Sequence, residues 1–567
     1  MSSVLAFTFF VWVELLGFDN TKPDFGVGSY LARMERQPDA VSLLLDDDQL
    51  FRSHVNLDRD FRLPDSCRSY GNRPYNTERR RQDWTAFQLR GLVAELNRHG
   101  IETYASFFNR SGALPADDAL IAEVSTRLTS FLVDFGFKGF HFSDGWAPPR
   151  YLLPSCADED RAKIARASSA RYAANIGMMM KALKAKGLKG WANTCWTLDP
   201  YEALYRYGVD YRLLAKTGLD GFVVESSGAA LELEGRNYTD GSRLDLSTAM
   251  LLRLRAMVPE MPFVLLHAIN DGNEQWSALR HGPTLSKSEA ITLGTMYCNG
   301  KRILDGYLAC LADGITEGEW KTLMETWTLG MHDFAGPVGV NVVWSDRAFD
   351  REFDTCTVSH DASSNTLLAK LIARGMVVNS SVTVEKAMAD KDLPILILNP
   401  AFFPEDELKE LRARRGRVHE FGRGAPPPLA DEYVERKDKS PFPGMPECDS
   451  VYFTRPLSEN LPKEDQMLSA ADKVNWLTSP YELKPLGIRS WAVRMRDGRL
   501  GVFLRNDTEK YQMTEVHPKR AVSDVKVHTD FPSMPVKTVL KLRVAPHETA
   551  LISLGEGDFP MPEKLGK

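Results

Sequence analysis

The sequence predicts an α/β fold: a (β/α)8 TIM barrel, then a flavodoxin-like α/β module and a C-terminal antiparallel β-sandwich. Three observations predict it. Apolar strand-like runs alternate with helical stretches eight times within the first 335 residues, which is typical of a closed parallel barrel. A shorter alternation of the same kind follows, and beyond about residue 490 the runs become short with period two. No GxGxxG or P-loop motif follows an early run, which disfavours the alternative of an open doubly wound sheet.

The predicted barrel strands are short apolar runs, several of them preceded by glycine. They are Val4–Trp12, Val41–Leu45, Ile101–Phe108, Gly139–Ser143, Gly190–Cys195, Gly221–Glu225, Phe263–His267 and Arg302–Cys310. The helical stretches between them carry apolar residues at intervals of three and four. These stretches include Trp84–Arg98, Glu159–Lys186, Leu244–Met257 and Lys287–Met296. We therefore assign residues 1–335 to a catalytic barrel.

Three further segments follow the barrel. Residues 336–424 repeat the strand–helix alternation and are predicted to form the flavodoxin-like module. Residues 425–489 are rich in proline and predict a loop-rich connection, and residues 490–567 predict the β-sandwich. The apolar start of the chain lacks a basic segment and a small-residue cleavage site, so we interpret it as the first strand and not as a signal peptide.

Charge and cysteine content exclude several classes of function. The 70 basic and 76 acidic residues leave a net charge of -6, which gives no electrostatic reason to expect nucleic acid or an anionic membrane as a partner. Seven dispersed cysteines without a CxxC motif argue against a disulfide framework and a structural zinc site. We expect a cytoplasmic protein, or a periplasmic one if a signal peptide was removed, with neither metal nor organic cofactor.

Polar and aromatic residues stand where the predicted barrel strands end. In such barrels these positions converge on one face, where the chemistry takes place. Carboxylates grip pairs of sugar hydroxyls and indoles cover the apolar face of a sugar ring, so this set favours a neutral carbohydrate. The candidate residues are Trp12, Glu14, Asp46, Asp47, Asn109, Asp144, Trp146, Asn193, Trp196, Glu225, His267 and Asp271.

Asp144 and Glu225 are the predicted catalytic pair. Each ends an apolar run that begins at a glycine, GFHFSD and GFVVES, so their placements are parallel. Glycoside hydrolysis needs two carboxyl groups that flank the scissile bond. The alternative for each acid is a helix cap or a salt-bridge partner.

The other candidates keep structural alternatives. Trp146 and Trp196 are stacking platforms or core residues, and His267 is a ligand contact or a satisfied core histidine. Asp46 and Asp47 contact a sugar hydroxyl or belong to a solvated turn or cap. His141 lies inside the fourth predicted strand and is interpreted as structural.

Two family resemblances follow from these patterns. The order of barrel, flavodoxin-like module and β-sandwich resembles the family-42 β-galactosidases, which implies assembly through the middle module as a dimer or trimer. Those enzymes carry Asn-Glu after strand four and Glu after strand seven, whereas this chain has Ser143-Asp144 and His267 to Asp271 there. The carboxylate placement resembles the retaining α-galactosidase/α-glucosidase superfamily, which implies Asp144 as nucleophile and Glu225 as acid/base.

The sequence thus predicts a retaining glycoside hydrolase that acts on a neutral oligo- or polysaccharide. Two alternatives remain open at this stage. One is a transglycosylase or a glycosidase with another carboxylate pair, with Asp271 or Glu274 as nucleophile. The other is a carbohydrate-binding protein without catalytic activity.

Overall fold

The computed structural model describes most of the chain. The described residues are 7–45, 49–52, 60–64, 67, 82–109, 117–143, 145–146, 157–195, 197–225, 243–268, 270–271, 276–359, 363–413, 418–424, 479–484, 488–519, 522, 524–528, 533–536 and 539–555. The strands are β1 Thr8–Glu14, β2 Ala40–Leu44, β3 Glu102–Phe107, β4 Gly139–Phe142, β5 Lys189–Asn193, β6 Gly221–Val224, β7 Phe263–Ala268, β8 Asn270–Asp271, β9 Trp276–Ser277, β10 Tyr297–Cys298, β11 Lys301–Arg302, β12 Gly306–Cys310, β13 Phe334–Val338, β14 Asn341–Trp344, β15 Ser380–Thr383, β16 Ile395–Leu398, β17 Val418–Phe421, β18 Tyr481–Lys484, β19 Arg489–Met495, β20 Leu500–Arg505, β21 Gln512–Pro518, β22 Asp524–Val527, β23 Ser533–Val536, β24 Val539–Val544 and β25 Thr549–Gly555. The α-helices are Val27–Leu31, Gln49–Arg52, Ala86–Arg98, Asp118–Phe135, Asp158–Lys184, Pro200–Glu202, Tyr211–Leu214, Arg243–Met257, Ala278–His281, Pro283–Gly294, Glu317–Gly330, Asp346–Ser359, Ser364–Ala373, Val384–Ala389 and Glu405–Ala413.

Eight parallel strands close into a barrel. Its order is β1-β12-β7-β6-β5-β4-β3-β2, so strands that follow one another along the chain are neighbours. Closure occurs between β12 and β1, where Phe10 pairs with Leu308 on one side and with Ala40 of β2 on the other. The predicted barrel is therefore confirmed. The predicted run Arg302–Cys310 is divided, because its start forms β11, which pairs with β10 outside the barrel.

Successive residues of each barrel strand face opposite sides of the sheet. On β1, Phe9 and Val11 pack outward in the large core between the barrel and its helices. Phe10 and Trp12 point inward and join a separate apolar cluster that fills the lumen. The lumen cluster comprises Phe10, Trp12, Ala40, Leu44, Tyr104, Phe108, Trp191, Val223, Val264, Leu266, Leu308, Cys310 and Leu311.

Two glycines that begin barrel strands make room for large rings in the lumen. A Cβ atom at Gly221 would lie 2.3 Å from the Trp191 ring, and one at Gly139 would lie 2.6 Å from the Tyr104 ring. Contacts that short would force the rings to move. The glycines that begin GFHF and GFVV are thus required by the packing of the lumen.

The middle of the chain forms a second, mostly parallel sheet of order β11-β10-β15-β14-β16-β17. Its strands β14 to β17 follow the order 2-1-3-4, as in flavodoxin-like sheets. The segment between the barrel strands β7 and β12 adds two strands, β10 and β11, to one edge of this sheet. The neighbouring β13 spans the predicted boundary at residues 335/336 and pairs with β19 of the last domain.

Two antiparallel sheets form the last domain. One has the order β13-β19-β20-β25-β22 and the other β18-β21-β24-β23. Apolar residues of both sheets, such as Val502 and Leu542, share one core. The opposite face of the first sheet, with Trp491 and Phe503, packs into the large core of the barrel. The β-sandwich therefore covers the barrel directly.

A buried ionic contact joins the sandwich to the barrel. Asp245, on the helix Arg243–Met257, is fully buried and pairs with Arg505 and, at 3.1 Å, with Arg489. Arg505 also reaches Asp507 at 2.6 Å. Hydrogen bonds to several partners compensate the desolvation of these charges. In the part of the chain that the structure describes, no helix is long and apolar enough to cross a membrane.

Asp199 joins the barrel to the middle module. Its Oδ1 atom accepts the N–H of Tyr201 at 2.8 Å, and its Oδ2 atom accepts the hydroxyl of Ser363, from the module, at 2.7 Å. Burial raises the pKa of Asp199 to about 7, although both hydrogen bonds act in the opposite direction. The contact is therefore sensitive to pH near neutrality.

We expect Asp199→Asn to gain stability over the wild type as the pH rises. Folded Asp199 binds its proton more tightly than the unfolded chain, so its stabilising contribution is complete below the unfolded pKa and is lost as the pH approaches 7. An amide at this position does not titrate. Between pH 5 and pH 8 the difference in unfolding free energy should grow by about 3 kcal/mol in favour of the variant, measured by urea denaturation.

Asp210→Asn is the matched control. Asp210 is also buried and caps a helix through Arg212 N–H, but its carboxylate is paired with the Arg212 guanidinium at 2.7 Å. Its replacement should lower stability at both pH values. A difference between Asp199→Asn and wild type that does not change with pH would contradict the assignment.

Candidate active site

The carboxyl-terminal end of the barrel holds a chain of hydrogen bonds across its lumen. Ser42 Oγ lies 3.0 Å from Nδ1 of His141, and Nε2 of His141 lies 2.6 Å from Oδ1 of Asn193. Asn193 Nδ2 then donates to Glu225 Oε2 at 3.0 Å. Each residue comes from a different strand or its end: β2, β4, β5 and β6. Strand alternation brings all four to the lumen side, next to the apolar cluster.

Glu225 is the carboxylate at the end of this chain. Its side chain is partly exposed, whereas Ser42, His141 and Asn193 are buried. Its backbone N–H donates to Thr194 Oγ1 at 2.9 Å, so the end of β5 fixes both its main chain and its carboxylate. A fixed carboxylate with access to solvent is able to exchange protons with a bound molecule.

His141 is a neutral, buried imidazole. Only 2% of the residue is exposed, and burial lowers its pKa to about 4, against the effect of its hydrogen bond with Asn193. The Trp12 ring lies against it with centroids 4.9 Å apart and planes at 63°. The sequence interpretation of His141 as purely structural missed its place among the polar lumen residues. Its position between Phe140 and Phe142, which face outward, was the available signal.

The loop after β4 is held by close contacts on both sides of Asp144. Ser143 is buried and accepts a hydrogen bond from Ser106 Oγ at 2.8 Å. Gly145 has a positive φ of 81°, and a Cβ atom there would lie 2.2 Å from the carbonyl oxygen of Asn109. Glycine is therefore required at this position. Asp144 itself lies outside the described residues, so its role stays a prediction.

Asn109 and Glu14 are both fully buried. Asn109 Nδ2 donates to the Gly145 carbonyl at 3.1 Å, which ties the loop after β3 to the loop after β4. The backbone N–H of Glu14 donates to Oδ1 of Asp313 at 2.7 Å, and alternation along β1 puts Glu14 on the lumen side with Trp12. Asp313 follows β12 and was not among the predicted site residues, because no strand-end motif marks it.

Trp146 occupies the core and not a ligand-stacking position. Its ring is fully buried, with Phe140 at 5.7 Å and Phe51 at 5.9 Å between centroids. It belongs to the large cluster between barrel and helices, outside the lumen. The interpretation as a stacking platform is corrected to its alternative, core packing, because no face of the ring is accessible.

His267 faces away from the lumen. On β7, Val264 and Leu266 point inward, so alternation directs His267 outward. Its Nε2 atom lies 2.8 Å from Oγ and 3.0 Å from the carbonyl oxygen of Ser286, on an outer helix. The residue is 1% exposed, and burial lowers its pKa to about 4. The predicted ligand contact is corrected to a buried histidine of the outer layer, which Ser286 holds through Nε2.

The structure does not describe the side chains of the remaining predicted site residues. Asp46, Asp47 and Trp196 lie outside the described residues. The backbone of Asp271 forms part of β8, which pairs with β9, and its side chain is not described. Within the described ranges no group of three or more His, Cys, Asp or Glu residues is arranged to hold a metal ion. Of the predicted residues, the structure brings Trp12, Asn193 and Glu225 together around His141.

No model of a known protein family matches the sequence, and no curated protein matches it. Solved structures do share the fold. The β-galactosidase of the psychrophilic Marinomonas ef1 has a TM-score of 0.57 at 10% identity, over 97% of this chain and 100% of the other. A GH42 exo-carrageenase from Bacteroides ovatus matches with a TM-score of 0.41 at 8% identity, over 97% of this chain and 80% of the other. The chain thus shares the fold of a β-galactosidase along almost its whole length.

Proposed function

We propose that this protein is a glycoside hydrolase whose active site is the carboxyl-terminal mouth of the barrel. The observation that carries the proposal is Glu225, a partly exposed carboxylate at the end of β6 that Asn193 and Thr194 hold in place. Barrels of this class carry their catalytic groups at that end. The fold shared with a β-galactosidase supports the same reaction class.

Asp144 is the second carboxyl group of the proposal. It follows the end of β4, two strands away from β6 in the barrel order. In a retaining reaction, the Asp144 carboxylate attacks the anomeric carbon while Glu225 protonates the leaving oxygen, which breaks the glycosidic bond. Glu225 then removes a proton from water, and the resulting attack releases the sugar and regenerates both groups.

The described lumen groups suit a neutral sugar. Ser42, His141 and Asn193 present a hydroxyl, a neutral imidazole and an amide, and Trp12 adds an indole next to them. All four are uncharged and buried, so they support Glu225 without adding a charge that would favour an ionic substrate. The fold shared with a β-galactosidase makes a β-galactoside the first substrate to test.

Replacement of either carboxyl group should remove activity on aryl glycosides. We expect Glu225→Gln and Asp144→Asn to lower kcat/KM by at least about 100-fold, since an amide cannot act as nucleophile or proton carrier. The measurement is release of nitrophenol from a panel of 4-nitrophenyl glycosides that begins with the β-galactoside.

Asp305→Asn is the matched control. Asp305 precedes β12, at the opposite, amino-terminal end of the barrel, where its carboxylate accepts the N–H of Phe263 at 2.8 Å. This variant should keep activity within a factor of about two, since catalytic groups of such barrels lie at the other end. Unchanged turnover in both active-site variants would reject the site. A wild type that binds glycosides without turning any over would favour a carbohydrate-binding protein.

The stereochemical outcome tests the mechanism separately. We expect the first-formed product to keep the anomeric configuration of the substrate, observed by proton NMR within minutes of mixing. Retention requires the two carboxyl groups to lie about 5–5.5 Å apart, whereas inversion requires roughly 6.5–9.5 Å. A first product of inverted configuration would contradict the double displacement while leaving the glycosidase assignment intact.

A further inference from the structure

We propose that Asn193 and His141 are positioning residues for Glu225: a directed chain of hydrogen bonds from Ser42 through His141 and Asn193 fixes the orientation of Glu225 and stabilises the carboxylate that forms when Glu225 gives up its proton. This inference rests on the proposed function, because it assigns a role toward a catalytic Glu225. Asn193 contacts Glu225 directly, and His141 contacts it through Asn193.

The direction of the chain follows from the chemistry of its ends. Asn193 Nδ2 donates to Glu225 Oε2 at 3.0 Å, which is the direction that the carboxylate needs after proton transfer, because a carboxylate only accepts hydrogen bonds. The amide oxygen of Asn193 then faces His141. That oxygen can only accept, so Nε2 of His141 must carry a proton and donate across 2.6 Å. The Asn193 orientation thus selects one tautomer of His141.

The other ring nitrogen of His141 contacts Ser42. A neutral imidazole protonated at Nε2 has a lone pair at Nδ1, which accepts the Ser42 hydroxyl at 3.0 Å. Donor and acceptor alternate without conflict along the whole chain. Burial of His141 keeps the ring neutral above about pH 5, so the direction does not reverse near neutral pH.

The chain is also rigid. It joins residues of β2 and β4 to the ends of β5 and β6, its members other than Glu225 are buried, and the Trp12 ring packs against His141. Asn193 therefore loses little conformational freedom when it binds Glu225. A donor held in place in this way favours the charged form of the carboxylate. The thiol of nearby Cys195 is uncharged, because burial raises its pKa.

The first test is the effect of Asn193→Ala on catalysis. Loss of a hydrogen bond to a charged group should lower kcat by about 10- to 100-fold and leave KM nearly unchanged. Glu225 as general acid sets the alkaline limb of the pH–rate profile. Without the Asn193 donor the ionised form of Glu225 is less stable, so Glu225 keeps its proton to higher pH. The alkaline limb should therefore move up by about one pH unit. An unmoved limb would overturn the proposal.

Variants of His141 test the second link. His141→Phe should change kcat and the alkaline limb in the same direction as Asn193→Ala but less, and His141→Gln should recover part of the loss through its amide donor. Since His141 acts through Asn193, the double variant should equal Asn193→Ala alone. If the fold-loss of kcat in the double variant equals the product of the two single losses, the two residues contribute independently. That result would overturn the directed chain.

His267→Phe is the matched control for a merely structural effect. His267 is as buried as His141 and also neutral, but it lies on the outer face of β7. Its replacement should lower thermal stability to a similar degree and leave the alkaline limb in place. An equal shift in His267→Phe would mean that the shift reports general destabilisation, which overturns the proposal.

A readout without substrate separates this proposal from the proposed function. In protein labelled with 15N-histidine, the His141 signal, assigned by its loss in His141→Phe, should show the neutral tautomer protonated at Nε2 from pH 5 to pH 8. A tautomer protonated at Nδ1, or a charged ring, would overturn the chain whatever the activity. The expected tautomer in a protein inert on every glycoside would reject the proposed function and leave the chain established.

Discussion

Closure of the eight parallel strands is the constraint on which the rest of the structure depends. Because neighbouring residues of a strand face opposite sides, each barrel residue belongs either to the lumen or to the layer under the helices. Phe10 and Trp12 of β1 enter the lumen, whereas Phe9 and Val11 support the helices. The same rule brings His141, Asn193 and Glu225 from three strands to one place, although they are far apart in sequence.

The sequence predicts the framework well and the site in part. Barrel runs such as GFHFSD have outward phenylalanines with polar residues between them, and this alternation is sufficient to place His141 in the lumen. It does not place His267, since Phe263 to Ala268 is apolar at almost every position and shows no period of two. Both histidines are buried, so burial alone does not distinguish the lumen residue His141 from the outer residue His267.

Two features could not be predicted from local patterns. The burial of Trp146 depends on Phe51 and Phe140, which come from separate parts of the chain. The hydrogen bonds along Ser42, His141 and Asn193 depend on strand register, which the closed barrel sets. In each case the missing information is a contact between segments distant in sequence.

The outer domains restrain the barrel at its helices and at one of its loops. The sandwich contacts the helix Arg243–Met257 through Asp245, and the middle module contacts the loop after β5 through Asp199. That loop directly follows Asn193, the last residue of β5, which holds Glu225. The middle module is thereby connected to the candidate site by a short stretch of chain, which gives it a structural role besides any role in assembly.

We propose above that Asp144 and Glu225 act as a catalytic pair at the mouth of the barrel. The most direct test uses the 2-deoxy-2-fluoro analogue, with an activated leaving group, of a glycoside that the enzyme hydrolyses. Such analogues form the glycosyl-enzyme intermediate and hydrolyse slowly, so peptide mass spectrometry identifies the labelled residue. We expect a single label on Asp144 and no label in Asp144→Asn. A label on any other carboxylate would contradict it.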